Sequence, residues 1–252
     1  MMQRQQLTAW FERILQPQLI KDYCPNGLQV EGKETVNKVV TGVTASKALI
    51  EKAIESQADA IVVHHGYFWK GEPQSVTGMK KQRLKLLLEH DINLFAYHLP
   101  LDVHPEVGNN AMLGKILGLT DIQALPGQKP EGIVMTGRVT GEKLLTEFCD
   151  ELMHSLSRKA LVEESGSNLV SKVAWCTGGG QSFIEAVIEH GVDTFISGEV
   201  SEQTIHTARE CAVNFIAAGH HATERYGVKA LGEKLAEETG LEVSFIDVPN
   251  PA

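Results

Sequence analysis

Three short clusters of histidine and carboxylate residues can do chemistry in this chain. They are His64-His65, the run from His98 through Asp102 and His104 to Glu106, and His220-His221-Ala222-Thr223-Glu224. Imidazole nitrogen and carboxylate oxygen suit zinc, iron or manganese, and carboxylates able to bridge suit two ions about 3.5–4 Å apart. A pair of that kind acidifies water enough to attack an electrophilic carbon or phosphorus near neutral pH. Imidazole binds metal only in its neutral form, so occupancy should fall as the pH drops below about 6. Each cluster alone has a plainer reading: adjacent histidines are common in loops, and a His-x-x-x-Glu pair is often a surface helix contact. Taken together, the three point to a two-metal hydrolytic site.

The elements around the clusters support this. Ala60-Ile61-Val62-Val63 reads as a strand running into His64-His65. Neighbouring side chains on a strand face opposite ways, so two adjacent histidines share a site only where the strand ends and the backbone turns, a freedom that Gly66 would supply. The second cluster follows the strand-like Leu94–Tyr97, in a loop stiffened by Pro100 and Pro105. The third follows Phe215–Ala218, and a helix starting there would put His220 and Glu224 one turn apart on one face. Upstream, Leu7–Leu15 has helical spacing closed by Pro17, and Pro25-Asn26-Gly27 marks a turn before Leu28-Gln29-Val30.

Short β-branched runs alternating with helical stretches predict an α/β fold with mostly parallel sheets. The strand Val39–Val43 and helix Lys47–Ser56 have a second copy 134 positions on: Val39–Asp59 aligns with Val173–Asp193 through six identities that include Ile50-Glu51, Ile54-Glu55 and Asp59. A weaker echo relates Ile92–Tyr97 to Val213–Ala218. This order predicts two related three-layer α/β halves with the metal site in the cleft between them. The loop Pro126–Gly132 suggests the boundary, giving halves 1–125 and 126–252, with the last helices able to pack on the first half. After that loop, Ile133–Met135 reads as a strand and Glu142–Leu156 as a helix.

Composition narrows the function further. A hydrophobic fraction of 42% in 252 residues is enough to bury a real core. The net charge of −9 argues against broad binding to nucleic acid or anionic membranes, although a local basic patch stays open. Cys24, Cys149, Cys176 and Cys211 lie too far apart in sequence for a zinc knuckle or redox dithiol, and no apolar run approaches a membrane span. A reduced, cytoplasmic protein is the expectation.

The segments Asn26–Val30 (NGLQV), Val63–Trp69 (VHHGYFW), His98–Asn110 (HLPLDVHPEVGNN), Gly198–Glu202 (GEVSE) and Gly219–Gly227 (GHHATERYG) closely resemble the Nif-three-like proteins, often labelled GTP cyclohydrolase type 2 homologues. The resemblance runs from about Asn26 to the final Pro249-Asn250-Pro251. It implies two metal ions per chain, iron, manganese or zinc, held by His64, His65, Asp102, His220 and Glu224. It also implies a toroidal hexamer with its metal sites facing an internal cavity.

Other residues stay open to two readings. Glu199 aligns with His65 and, like His98, could contact the ligands or a substrate; it could equally be a solvated strand end. The turn Thr177-Gly178-Gly179-Gly180 could hold an anion on its amides or simply be tight. Tyr67, Phe68 and Trp69 could stack a base or pack in a core. Two functions follow: a metal-dependent hydrolase acting on a nucleotide-like or phosphorylated small molecule, or a non-catalytic metal-binding ring serving as scaffold or metal carrier with a protein or nucleic-acid partner.

Overall fold

The apolar runs at Val39–Val43 and Ala60–Val63 become neighbouring parallel strands because both faces of each are buried. The computed structural model describes residues 1–252, and the chain forms two units: Met1–Leu101 with Gly227–Val248, and Asp102–Tyr226 with Pro249–Ala252.

In the first unit, five strands lie in the order Glu242–Phe245, Lys38–Thr44, Ala60–His65, Asn93–Ala96, Gly27–Val30. All pair in parallel except the last, an antiparallel edge. One face packs Val40, Ile61, Val63 and Leu94 against Leu49, Ile50 and Ala53 of helix Lys47–Glu55 and Leu87 of helix Gly78–Glu89. On the other face, Phe11 of helix Arg4–Leu15 meets Phe95 and Tyr97, with ring centroids 5.3 and 5.1 Å apart. Helix His220–Thr239 approaches that face so closely that a Cβ on Gly232 would lie 2.8 Å from Thr41 Cγ2. Layers on both faces explain why these strands read as continuous apolar runs.

The second unit has six strands in the order Thr120–Ala124, Met135–Leu144, Leu169–Cys176, Thr194–Ser197, Asn214–Ala217, Leu161–Glu163. Parallel pairing is confined to Leu169–Cys176, Thr194–Ser197 and Asn214–Ala217, and the outer strands are antiparallel. Its core gathers Val173, Trp175, Ile196 and Ile216 against Leu113, Phe148 and Leu152. All four cysteines are free, and no helix is long and apolar enough to cross a membrane.

Three expectations need correction. The chain changes unit at Leu101/Asp102 rather than near Pro126; residues 227–248 group with the first unit, in line with the expectation that the last helices can pack there. The loop at Pro126 joins two paired strands of the second unit, where Asn110 Nδ2 donates to the Gly132 and Ile133 carbonyls. The helix expected from Glu142 starts at Leu145, because Lys143 and Leu144 are paired with Val170 and Leu169 in the sheet. The expected strand at Ile133 begins only at Met135, since Ile133 N–H closes a turn onto Pro130 O.

The two sheets repeat one polar device. Asp59 Oδ2 accepts from the Asn37 and Lys38 amides, and Asp193 Oδ2 from those of Ser171 and Lys172. Asn93 Oδ1 accepts from Gly32 N–H while its Nδ2 donates to Lys33 O. Asn214 does the same with Gly166 N–H and Ser167 O. The aligned pairs Asp59/Asp193 and Asn93/Asn214 thus do equivalent work, and the correspondence reaches the antiparallel edge strands.

Burial would raise the Asp59 pKa, but Lys33 Nζ at 2.6 Å and the two amides hold it below its ordinary value. A depressed carboxylate stabilises the fold above its unfolded pKa near 3.8, and that stability is lost as the pH falls through the lower folded value. Asp59→Asn is therefore expected to cost about 1–3 kcal/mol at pH 7. Thermal unfolding should show that deficit shrinking as the pH is taken below 3; an equal deficit at both pH values would refute the charge argument.

Candidate metal centre

In the first unit, strand Ala60–His65 carries both histidines to its carboxyl end, where ligands gather in parallel α/β sheets. His64 is fully buried and His65 half-buried, with ring centroids 4.5 Å apart. His98, two residues beyond strand Asn93–Ala96, places its ring 5.1 Å from that of His64. One ligand atom from each of His64, His65 and His98 lies within 4.8 Å of the others. Gly66 acts by making room rather than by a left-handed turn, since a Cβ there would overlap Gln29 Oε1 and lie 2.5 Å from Ala96 Cβ.

Each of these rings is held at Nδ1. His64 Nδ1 meets the Tyr97 carbonyl at 3.0 Å, His65 Nδ1 meets Thr44 Oγ1 at 3.2 Å, and His98 Nδ1 meets Asp22 Oδ1 at 2.8 Å. A carbonyl can only accept, so His64 carries its proton on Nδ1 and its lone pair on Nε2, the tautomer seen in metal-binding histidines. Asp22 is itself fixed by Asn26 Nδ2 and the Leu99 amide, both at 2.9 Å. Burial pushes its pKa up, yet the His98 and Asn26 hydrogen bonds outweigh that and hold it below the ordinary value. Tyr67 is a core residue whose hydroxyl donates to Ala45 O at 2.7 Å, while Trp69 stands edge-on to His98 at 4.9 Å.

In the second unit, Gly219 (φ +101°) turns the chain out of strand Asn214–Ala217 and His220 opens helix His220–Thr239. The helical spacing brings His220 Nε2 to 3.1 Å from Glu224 Oε2, and Glu199 Oε1 lies 2.7 Å from the opposite nitrogen, Nδ1. Burial would lower the His220 pKa; the two carboxylates overcome it and raise it from 6.5 to about 9. Asp102, 5% exposed, accepts from Asn109 Nδ2 at 2.8 Å and Thr177 Oγ1 at 3.4 Å.

The glycine turn lies against the carboxylates, and two of its amides are engaged within the fold: Thr177 N–H donates to Asn110 Oδ1 at 3.0 Å, and Gly178 N–H to Thr223 Oγ1 at 3.0 Å. A Cβ on Gly178 (φ +63°) would overlap Glu224 Oε1. Gly179 lies next to Glu199, which also accepts from Gln181 Nε2 at 3.3 Å.

The structure thus groups His64, His65 and His98 in one unit, and His220, Glu224, Glu199 and Gly178 in the other, where Asp102 is held by Asn109 and Thr177. The supporting roles of Asp22, Thr44, Asn109 and Thr177 were not foreseen. Asn109 and Thr177 lie within the segments His98–Asn110 and Thr177–Gly180 that the sequence singled out, whereas Asp22 has only its place ahead of the turn Pro25-Asn26-Gly27.

Comparison with known proteins adds an independent finding. Residues 2–251 match the family model described as Duf34/NIF3 (NGG1p interacting factor 3). The chain is 53% identical over 252 residues to a Vibrio cholerae protein named GTP cyclohydrolase 1 type 2 homolog, covering 98% of each chain. It is 57% identical over 234 residues to the Escherichia coli K12 protein of the same name, covering 92% of this chain and 93% of the relative. A solved structure, protein ybgI of unknown function, superimposes with a TM-score of 0.96 at 54% identity over the whole of both chains.

Proposed function

The chain belongs to the Duf34/NIF3 family, and on that premise we propose that His64, His65, Asp102, His220 and Glu224 hold two divalent ions, iron, manganese or zinc. In this reading the protein is a metal-dependent hydrolase of a nucleotide-like or phosphorylated small molecule. The observation that carries it is the shared anchoring of His64, His65 and His220 at Nδ1, by a carbonyl, a hydroxyl and a carboxylate respectively. A carbonyl or carboxylate at Nδ1 fixes the tautomer and raises ligand basicity, and the hydroxyl beside His65 holds its ring in place. The donor set fits the metals named, since it is made of imidazole and carboxylate without thiolate.

Ions held there would supply Lewis acidity and lower the pKa of water. The protein supplies the rest. Asp102 and Glu224 offset positive charge, with Asn109 and Thr177 orienting the first and Gly178 leaving space for the second. Glu199 holds the His220 ring. The name carried by the relatives suggests attack on the imidazole carbon of a guanine nucleotide, whereas a phosphoesterase would direct the water to phosphorus.

Elemental analysis of purified protein should find about two transition-metal ions per chain. Metal-loaded protein screened against nucleotides and phosphoesters should then turn over at least one of them. Turnover with none of manganese, iron or zinc, by protein that still carries metal, would instead favour a metal-carrying scaffold. The same reading takes a ring of six chains as the assembly, so a monomeric mass in solution scattering would refute that part.

A further inference from the structure

A cavity of about 500 Å³ in the second unit is lined by Arg158, Lys159, Leu161, Gly198, Glu199 and Ala217, among others. That volume falls within the roughly 300–1,000 Å³ of small-molecule sites. Two adjacent cations stand in its wall in a chain of net charge −9, and neither is in an ion pair. Arg158 follows the left-handed cap Ser157 of helix Leu145–Leu156. Its Nη1 donates to the Pro251 carbonyl, and its Nε is buried against Gly219. The guanidinium's Nη2 makes no hydrogen bond within the fold and retains its donor capacity.

Its position is also specific. The guanidinium packs on Gly219, the residue before His220, so closely that a Cβ there would overlap Nε. Glycine at 219 thus allows both the turn into the helix and the seat of the cation. Glu199, an acidic side chain in the same wall, which Ala252 also lines, is engaged by His220 Nδ1 and Gln181 Nε2, which moderates its repulsion of an anion.

We propose that Arg158 and Lys159 anchor the phosphate of a small molecule of about mononucleotide size in this cavity, beside His220. An arginine fork presents several donors to one phosphate, and a neighbouring lysine adds a mobile point charge. The use of the bound molecule as a substrate rests on the metal-hydrolase reading; the anion site itself does not.

Equilibrium binding of GMP, guanosine and inorganic phosphate to the full-length protein, as purified and after chelator treatment, tests the assignment. GMP should bind more tightly than guanosine, and more weakly as salt rises. Arg158→Met and Lys159→Met should each weaken GMP binding about tenfold and leave guanosine unchanged, with Arg158→Lys recovering part of the loss. Lys159 is exposed, so its variant separates lost binding from lost folding. Binding of GMP by the double Met variant at wild-type affinity would overturn the proposal. So would failure of wild-type protein to bind GMP or phosphate at millimolar concentration, or GMP binding that vanishes with chelator but ignores Arg158. Arg158-dependent GMP binding by a protein found to carry no metal would retain the anion site and reject the hydrolase reading.

Discussion

Glu224→Ala is expected to lose metal affinity by about 100-fold or more, because changes to residues that merely support a metal ligand already cost 10–100-fold. Glu224 is 3% exposed and lies 3.1 Å from His220, so under the proposed assignment truncation removes a carboxylate ligand and the partner that steadies His220. Glu224→Gln separates the two effects, since it keeps the volume beside Gly178 while removing the charge. Elemental analysis after dialysis against a graded chelator measures the outcome: wild-type protein should retain metal where both variants have released it. Full occupancy in Glu224→Ala would eliminate Glu224 as a ligand.

Trp175→Ala should produce the largest loss of stability. Trp175 is fully buried in the second unit, with Gly114 and Gly137 shaped around its ring: a Cβ on either would lie 2.6 and 3.2 Å from ring carbons. Large-to-small substitutions of buried aromatics cost about 3–5 kcal/mol. For a chain of this size that lowers the melting temperature by roughly 6–20 °C. Here a polar loss is added, because Trp175 Nε1 donates to Asn110 O at 2.8 Å. Asn110 also accepts the Thr177 amide through its side chain, and Thr177 touches Asp102. The variant should therefore weaken metal retention as well as stability, whereas Trp175→Phe should keep most of the packing and lose mainly the hydrogen bond. A melting temperature within 2 °C of wild type for Trp175→Ala would refute this account of the core.

How much of this was legible follows the range of the interactions. The pairing of His220 with Glu224 could be read directly, because a helix fixes residues four apart through its own periodicity. The duplicated strand–helix units were legible for a similar reason, and their equivalence reappears in the matching roles of Asp59 and Asp193. Contacts between distant segments left little trace. Asp22 reaches His98 across 76 positions and Thr177 reaches Asp102 across 75. Nothing in the local pattern links either pair.

The expected boundary failed on the same ground. Pro126–Gly132 has the composition of a linker, yet it is a loop between paired strands of one unit; the last elements group with the first unit, as the sequence reading allows.

By itself, then, the sequence determined the α/β alternation, the internal repeat, and a set of imidazole and carboxylate donors at strand ends, because local propensity and short-range spacing carry that information. Tertiary structure alone decided which side chains anchor those donors, where one unit gives way to the next, and that Arg158 lies against Gly219 beside His220. Those outcomes depend on which distant strands and loops are brought together in packing, and no periodicity in a single chain encodes that choice.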